Sequence, residues 1–80
     1  MIHAREDYNR IQDPASLIGE DEPVFLIRAK DKLMVPVLRA YADMAELAGC
    51  DADMVMIVRH HAQRTEVWQH KNGCKTPDLP

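Results

Sequence analysis

The residues best suited to chemistry are the charged ones that follow the most apolar run of the chain. Arg28, Lys30 and Lys32 come directly after the apolar residues 24–27 and just before a predicted helix. Basic side chains near a helix start favour anion binding, because the free helix amides there also attract negative charge. A guanidinium can hold a phosphate through two parallel hydrogen bonds. We therefore predict an anion-binding site at Arg28 and Lys30.

The N-terminal arm supplies two further candidates for this site. Tyr8 offers an aromatic face for stacking, and Arg10 offers an additional positive charge. The alternative is an ion pair between Arg28 and either Asp31 or an acidic residue of the arm, which would simply fix the arm. Both interpretations remain open at the level of sequence.

Three histidines and one cysteine are candidate metal ligands: His60, His61, His70 and Cys74. A structural zinc site needs four ligands in closely spaced pairs. Only His70 and Cys74 form such a pair, and Gly73 interrupts the helix between them. His60 and His61 are adjacent and therefore point to different helix faces. We expect neither a metal nor any other cofactor.

Nucleophilic catalysis has little support in the sequence. Ser16, Thr65 and Thr76 lack the context of a nucleophile elbow, and no glycine-rich loop is present to hold an oxyanion or a phosphate. A hairpin of this size also offers little room for a closed, dry pocket. The prediction is a protein that is not an enzyme.

Length and composition place limits on the whole molecule. Eighty residues with 46% hydrophobic and 29% charged content make one small globular domain. A core of that size supplies roughly 3–5 kcal/mol unless a partner subunit, a metal or a disulfide adds to it. The net charge of -3 argues against a general nucleic-acid binder. Without a signal-like N-terminus or an apolar run of ~20 residues, we expect a soluble cytoplasmic protein and no membrane contact.

Four segments follow from the pattern of apolar, charged and turn-forming residues. We predict a mainly α fold in which a short strand precedes an antiparallel helical hairpin. The strand covers about 24–29, and the helices cover about 35–48 and 52–70. The segments are an arm (1–22), the strand with its charged cluster (23–31), the hairpin (33–70) and a tail (71–80).

The predicted strand has no obvious partner in its own chain. Its nearly continuous apolar run is typical of a strand that is covered on both faces. A single strand cannot satisfy its own amides and carbonyls. It must pair with the arm, pair with the same strand of another subunit, or not be a strand. We favour the second possibility, which predicts a homodimer or a higher oligomer.

Each predicted helix has apolar residues at steps of three and four, which is typical of a helix with one buried side. The predicted buried stripe of the first helix is Val37, Leu38, Tyr41, Met44, Ala45 and Ala48. The predicted buried stripe of the second is Met54, Ile57, Val58, His61, Ala62, Thr65 and Trp68.

Four short motifs are notable: YNRIQDP at 8–14, EPVFLIRAKD at 22–31, WQ at 68–69 and KTPDLP at 75–80. These motifs resemble those of small uncharacterised proteins that bacteriophages and prophages encode. The resemblance implies an accessory phage protein that acts in the cytoplasm of a bacterial host. It implies no catalytic residues.

Composition, motifs and resemblance together predict a non-enzymatic protein that acts by binding. The leading hypothesis is counter-defence through sequestration of an anionic, nucleotide-like ligand by a homo-oligomer, with Arg28, Lys30, Tyr8 and Arg10 as the binding residues. The alternative is an interaction module whose helical hairpin docks a host or phage protein, with no small-molecule ligand.

Overall fold

The computed structural model describes residues 1–9 and 11–79, so the candidate residue Arg10 lies outside the described part. In chain order the elements are β1 (Ile2–His3), a 3-10 turn (Glu6–Tyr8), β2 (Pro23–Val24), α1 (Met34–Leu47) and α2 (Ala52–Asn72). Within the described residues the fold is mainly helical, and the two predicted helices are confirmed with small shifts of their ends.

Local capping explains where the helices end. The Asp51 carboxylate accepts a hydrogen bond from the Asp53 amide at 2.8 Å and caps the start of α2. Gly49 follows α1 with a φ of 79°, which a glycine adopts without steric cost. The Cys50 amide then reaches back to the Ala45 carbonyl at 3.0 Å, the bond that closes a Schellman motif.

The strand is shorter than the sequence predicts. β2 contains Pro23 and Val24 and pairs in parallel with β1 of the arm. The arm supplies partners for two residue pairs and then turns away at Glu6–Tyr8. Residues 25–28 are therefore not strand. Phe25 is 66% exposed, so the predicted cover on both faces is also wrong.

The core lies between the two helices. Small side chains at Ala42, Ala45 and Ala62 let the helix axes approach closely. Thr65 is buried but satisfied, because its hydroxyl donates to the His61 carbonyl at 2.8 Å. The buried residues of α1 are Met34, Val35, Ala42 and Ala45, and those of α2 are Val55, Val58, Ala62 and Thr65.

The predicted buried stripes are partly wrong. Ala45, Val58, Ala62 and Thr65 are buried as predicted, and Leu38 is half-buried. The other predicted members are exposed, and their places in the core go to the neighbouring stripe of each helix. The exposed members are Val37, Tyr41, Met44, Ala48, Met54, Ile57, His61 and Trp68.

Three ion pairs connect α1 and α2 along one side of the helix pair. Arg39 of α1 contacts Glu66 of α2 at 2.6 Å. Arg59 of α2 contacts Asp43 at 3.1 Å and Glu46 at 2.8 Å. Residues late in α1 thus meet residues early in α2, so the helices run antiparallel. These contacts lie at one edge of the helix pair, and the exposed members of the predicted apolar stripes lie toward the opposite edge.

Candidate functional site

A cleft forms where the arm, the segment after β2 and the tail meet. We call it the arm cleft, and its volume is about 220 Å³. That is less than the ~300–1,000 Å³ of a typical small-molecule site, so one chain can enclose a phosphate-sized group and part of a larger ligand. It is lined by Arg5, Asp7, Tyr8, Phe25, Leu26, Ile27, Arg28, Lys30, Asp31, Lys75, Pro77 and Asp78.

The short sheet and one glutamine hold the first two walls together. The Ala4 amide donates to the Val24 carbonyl at 3.1 Å, which places the 3-10 turn of the arm beside the segment after β2. From α2, the Gln69 amide group donates to the Ala29 carbonyl at 2.9 Å and to the Asp31 carbonyl at 3.0 Å. The segment that carries Arg28 is therefore tied to both the arm and the hairpin.

The tail forms the third wall through backbone pairing. Lys75 lies in an isolated parallel bridge with Asp31. Its carbonyl accepts from the Lys32 amide and its amide donates to the Lys30 carbonyl, both at 2.9 Å. The Arg5 guanidinium also donates to the Asp78 carbonyl at 2.8 Å. The arm and the tail thus touch each other across the cleft.

Arg5 and Asp7 form an ion pair with two hydrogen bonds in the cleft. The guanidinium donates to the carboxylate through Nε at 3.1 Å and through an Nη atom at 2.8 Å. The same guanidinium covers one face of the Tyr8 ring, 4.3 Å from its centroid. The hydrogen bonds between them raise the pKa of Arg5 and lower the pKa of Asp7. The positive charge of Arg28 also lowers the pKa of Asp7, by a smaller amount.

The cleft has more positive than negative side chains, and its carboxylates already have partners. Asp7 is held by Arg5, and the Asp78 carboxylate lies 3.1 Å from the Lys75 ammonium. The Asp31 carboxylate accepts from the Leu33 amide at 2.7 Å. With four cations against three carboxylates, the lining has a net charge of +1.

Arg28 and Lys30 are the two cations of the cleft that lie outside these ion pairs. Arg28 is exposed, and no carboxylate within residues 1–9 and 11–79 forms an ion pair with it. The ion pairs considered from the sequence, with Asp31 or with an acidic arm residue, are therefore not seen among those residues. Lys30 is nearby, and its ammonium donates to the Asn72 carbonyl at 3.3 Å. Both side chains have donors left for a ligand.

Three of the four sequence-predicted site residues come together here. Tyr8, Arg28 and Lys30 all line the arm cleft. Because Arg5 occupies one face of Tyr8, the more open aromatic face belongs to Phe25.

Sequence reasoning missed Arg5, Lys75 and Asp78. The Arg5-x-Asp7 spacing was a local signal for an ion pair. The tail residues carry no such signal, because they reach the cleft through backbone pairing alone.

The histidine and cysteine candidates do not gather into a metal site. Among the described residues, the structure contains no group of three or more histidine, cysteine or acidic side chains placed to hold a metal ion. Cys50 and Cys74 are exposed free thiols. Within the same residues, neither helix is long and apolar enough to cross a membrane.

Comparison with known proteins returned no match to a family model, to a curated protein or to a solved structure.

Proposed function

We propose that this chain is a non-enzymatic binding protein whose arm cleft holds a small anionic ligand with a phosphate group. The observation that carries the proposal is the exposed Arg28 guanidinium, which has no ion-pair partner among the described residues. It lines a cleft in which Asp7, Asp31 and Asp78 are already engaged. A phosphate there gains a cation without competing with a local carboxylate.

The chemistry of the lining favours a nucleotide-like anion over a simple carboxylate. Arg28 presents a planar pair of donors that matches two phosphate oxygens, and Lys30 adds a point charge. Phe25 is 66% exposed in the same cleft and offers a ring on which a base can stack. Since one cleft is smaller than a typical nucleotide site, the rest of the ligand would extend toward another subunit of a homo-oligomer.

A phage context, with counter-defence by ligand sequestration, is the biological role we propose. Its support is the resemblance described above, because each of its four motifs contributes to the cleft or to its anchoring. Tyr8, Arg28 and Lys75 from three of these motifs line the cleft, and Gln69 from the fourth ties Ala29 and Asp31 in place.

The test is a thermal-shift screen followed by calorimetric titration. Inorganic phosphate is the smallest probe, and linear and cyclic nucleotides are the larger ones. We expect a rise in melting temperature with at least one nucleotide and a smaller rise with phosphate. Arg28→Ala should abolish both without lowering the melting temperature of the free protein.

Arg64→Ala is the matched control for this test. Arg64 lies exposed on α2, and no carboxylate in the described part of the chain forms an ion pair with it. Its loss removes the same charge from outside the cleft, so binding should persist. Equal loss of binding in Arg28→Ala and Arg64→Ala would show that binding depends on the net charge of the protein and not on the cleft. No shift across the panel would reject the anion site.

A protein-docking role is the second candidate, and the exposed apolar side of the hairpin favours it. Val37, Tyr41 and Ile57 are 43%, 49% and 65% exposed and belong to this side. This role predicts a protein that is monomeric alone, does not respond to nucleotides and forms a complex of defined mass with a purified partner.

A further inference from the structure

The charges of α1 are confined to one narrow part of its surface. Arg39, Asp43 and Glu46 lie three and four residues apart and therefore share one stripe, about 60° wide at 3.6 residues per turn. These are the charged side chains of Met34–Leu47, and the rest of the helix is apolar apart from the hydroxyl of Tyr41. A helix that is apolar around most of its circumference is normally buried on more than one side.

In this chain α2 covers α1 on one side. The ion pairs of Arg39 with Glu66 and of Arg59 with Asp43 mark one edge of the helix contact. The opposite edge is the open face, which we define as Val37, Tyr41 and Met44 of α1 with Met54 and Ile57 of α2. These five side chains are 43%, 49%, 61%, 40% and 65% exposed, respectively.

The same residues have the spacing of a buried stripe. Val37, Tyr41 and Met44 repeat at steps of four and three along α1, and Met54 and Ile57 are three apart on α2. Because the helices run antiparallel and the ion pairs occupy the other edge, these stripes adjoin along the hairpin. Together with the exposed His61 and Trp68 of α2 they form a mostly apolar surface, with Arg64 beside Ile57 at its border.

The total surface of the chain is too large for a compact monomer. A folded chain of 9.1 kDa is expected to expose about 4,900 Å². This chain exposes 6408 Å², about 1,500 Å² more than that expectation. Its radius of gyration is 14.0 Å, against the ~11.6 Å expected for eighty residues. A standard interface buries ~800 Å² on each partner, so about half of the excess suffices for one.

We propose that the open face binds the open face of a second copy of this chain, which forms a four-helix assembly around a two-fold axis. A two-fold contact places the same patch on both subunits. If the α1 halves, which are free of charge, lie against each other at the axis, they meet without like-charge repulsion. The surface excess of about 1,500 Å² is larger than the ~800 Å² that each subunit of such a dimer would bury. The dimer also enlarges a core that is otherwise made chiefly of alanine and valine.

This surface differs from the one expected from the sequence, where the segment 24–29 was to pair across the two-fold axis. β2 has two residues and already pairs with β1 of the same chain. The open face extends the oligomeric part of the proposed function, but it does not depend on the anion site.

Sedimentation velocity of two variants tests the proposal. The wild type should have a mass of about 18 kDa at 10–100 μM, twice the 9.1 kDa of one chain. Val37→Glu places a charge in the open face and should weaken dimerisation by on the order of 100-fold. Val67→Glu is the matched control, since Val67 is 52% exposed and lies on the side of α2 that faces away from α1.

The proposal is supported if the wild type and Val67→Glu are dimers and Val37→Glu is a monomer. A folded wild-type monomer at 100 μM overturns it, as does an intact dimer of Val37→Glu. If Val37→Glu does not fold, the wild type is diluted instead. The proposal then predicts that dissociation of the dimer unfolds the chain, so the mass and the helical circular dichroism should fall together. A monomer that gains mass only with a foreign protein also overturns it. Arg28→Ala should remain dimeric, so failure of the anion site and failure of the dimer are separable.

Discussion

The Asp31 carboxylate accepts a hydrogen bond from the Leu33 amide at 2.7 Å, just before the first residue of α1. This contact gives Asp31 a structural role at the helix start. Arg28 lies three residues earlier and lines the same cleft, but it forms no ion pair with this carboxylate.

Removal of the Asp31 carboxylate should destabilise the hairpin without weakening anion binding. The Leu33 amide loses its side-chain acceptor when this carboxylate is removed, and one such hydrogen bond contributes about 0.5–1.5 kcal/mol. We expect Asp31→Ala to lower the free energy of unfolding in urea by that amount. Asp31→Asn can still accept the bond and should retain most of the stability. Equal losses in both variants would contradict this role of the hydrogen bond.

Gln69 should be essential for the position of the cleft segment. Its amide group donates to two carbonyls, those of Ala29 and Asp31. Gln69→Glu replaces the donor with a carboxylate that faces two carbonyl oxygens. Leaving such groups unpaired costs about 1–3 kcal/mol.

We expect Gln69→Glu to lose more stability than Gln69→Ala, which lets water reach the carbonyls. Chemical denaturation measures both. Gln63→Glu, on the exposed surface of α2, is the control and should change stability little. A Gln69→Glu protein as stable as wild type would show that this anchor is dispensable.

The arm should detach in acid because of Asp7. Its pKa is lowered in the folded chain, chiefly by the hydrogen bonds from Arg5, so it binds a proton less readily than it does in the unfolded chain. The stabilisation is therefore complete above the ordinary carboxyl pKa of ~3.9 and is lost as the pH falls through the lowered value. Proteolysis of the arm with an acid-active protease between pH 5 and pH 2 measures this loss.

Two variants test whether Asp7 causes the acid response. Asp7→Asn should open the arm already at pH 5 and reduce its further dependence on pH. Glu20→Gln removes another arm carboxylate, one without an ion pair among the described residues, and should behave as wild type. An unchanged pH response in Asp7→Asn would assign the effect to other groups.

Gly49 should resist substitution for a reason of backbone geometry alone. Its φ is 79°, while a Cβ built there would meet nothing within 4 Å. Gly49→Ala should therefore cost roughly 1–2 kcal/mol from the left-handed conformation and nothing from crowding. Gly19→Ala is the control, because an added Cβ there has ordinary contacts, the closest at 3.5 Å to the Asp21 carboxylate. Thermal denaturation of the two variants should separate them clearly.

The hairpin could be predicted from the sequence because its signals are local. Helical periodicity, the Asp51 cap and the turn at Gly49 all act within a few residues of one another. The face on which the helices meet could not be predicted in this way. α1 has more apolar side chains than α2 can cover, so periodicity cannot decide which stripe faces α2. Ion pairs such as Arg39 with Glu66, made between residues distant in sequence, accompany the observed choice.

The candidate site was predictable in part. Arg28 and Lys30 were visible as a basic cluster after an apolar run, and Tyr8 as the aromatic residue of the arm. The contributions of Lys75 and Asp78 depend on a bridge between the tail and the segment before α1. No local pattern of the tail encodes that bridge.

The hydrogen bond from Arg5 to the Asp78 carbonyl joins residues 73 positions apart. The helices, by contrast, are neighbours in the chain and can meet after a short loop closes. Closing the long loop between Arg5 and Asp78 costs more entropy than closing the short loop between the helices, so the contacts that depend on it form later. We expect the hairpin to form early in folding and the arm cleft to close last. A ligand in the cleft would then hold the arm and the tail in place and slow their local unfolding.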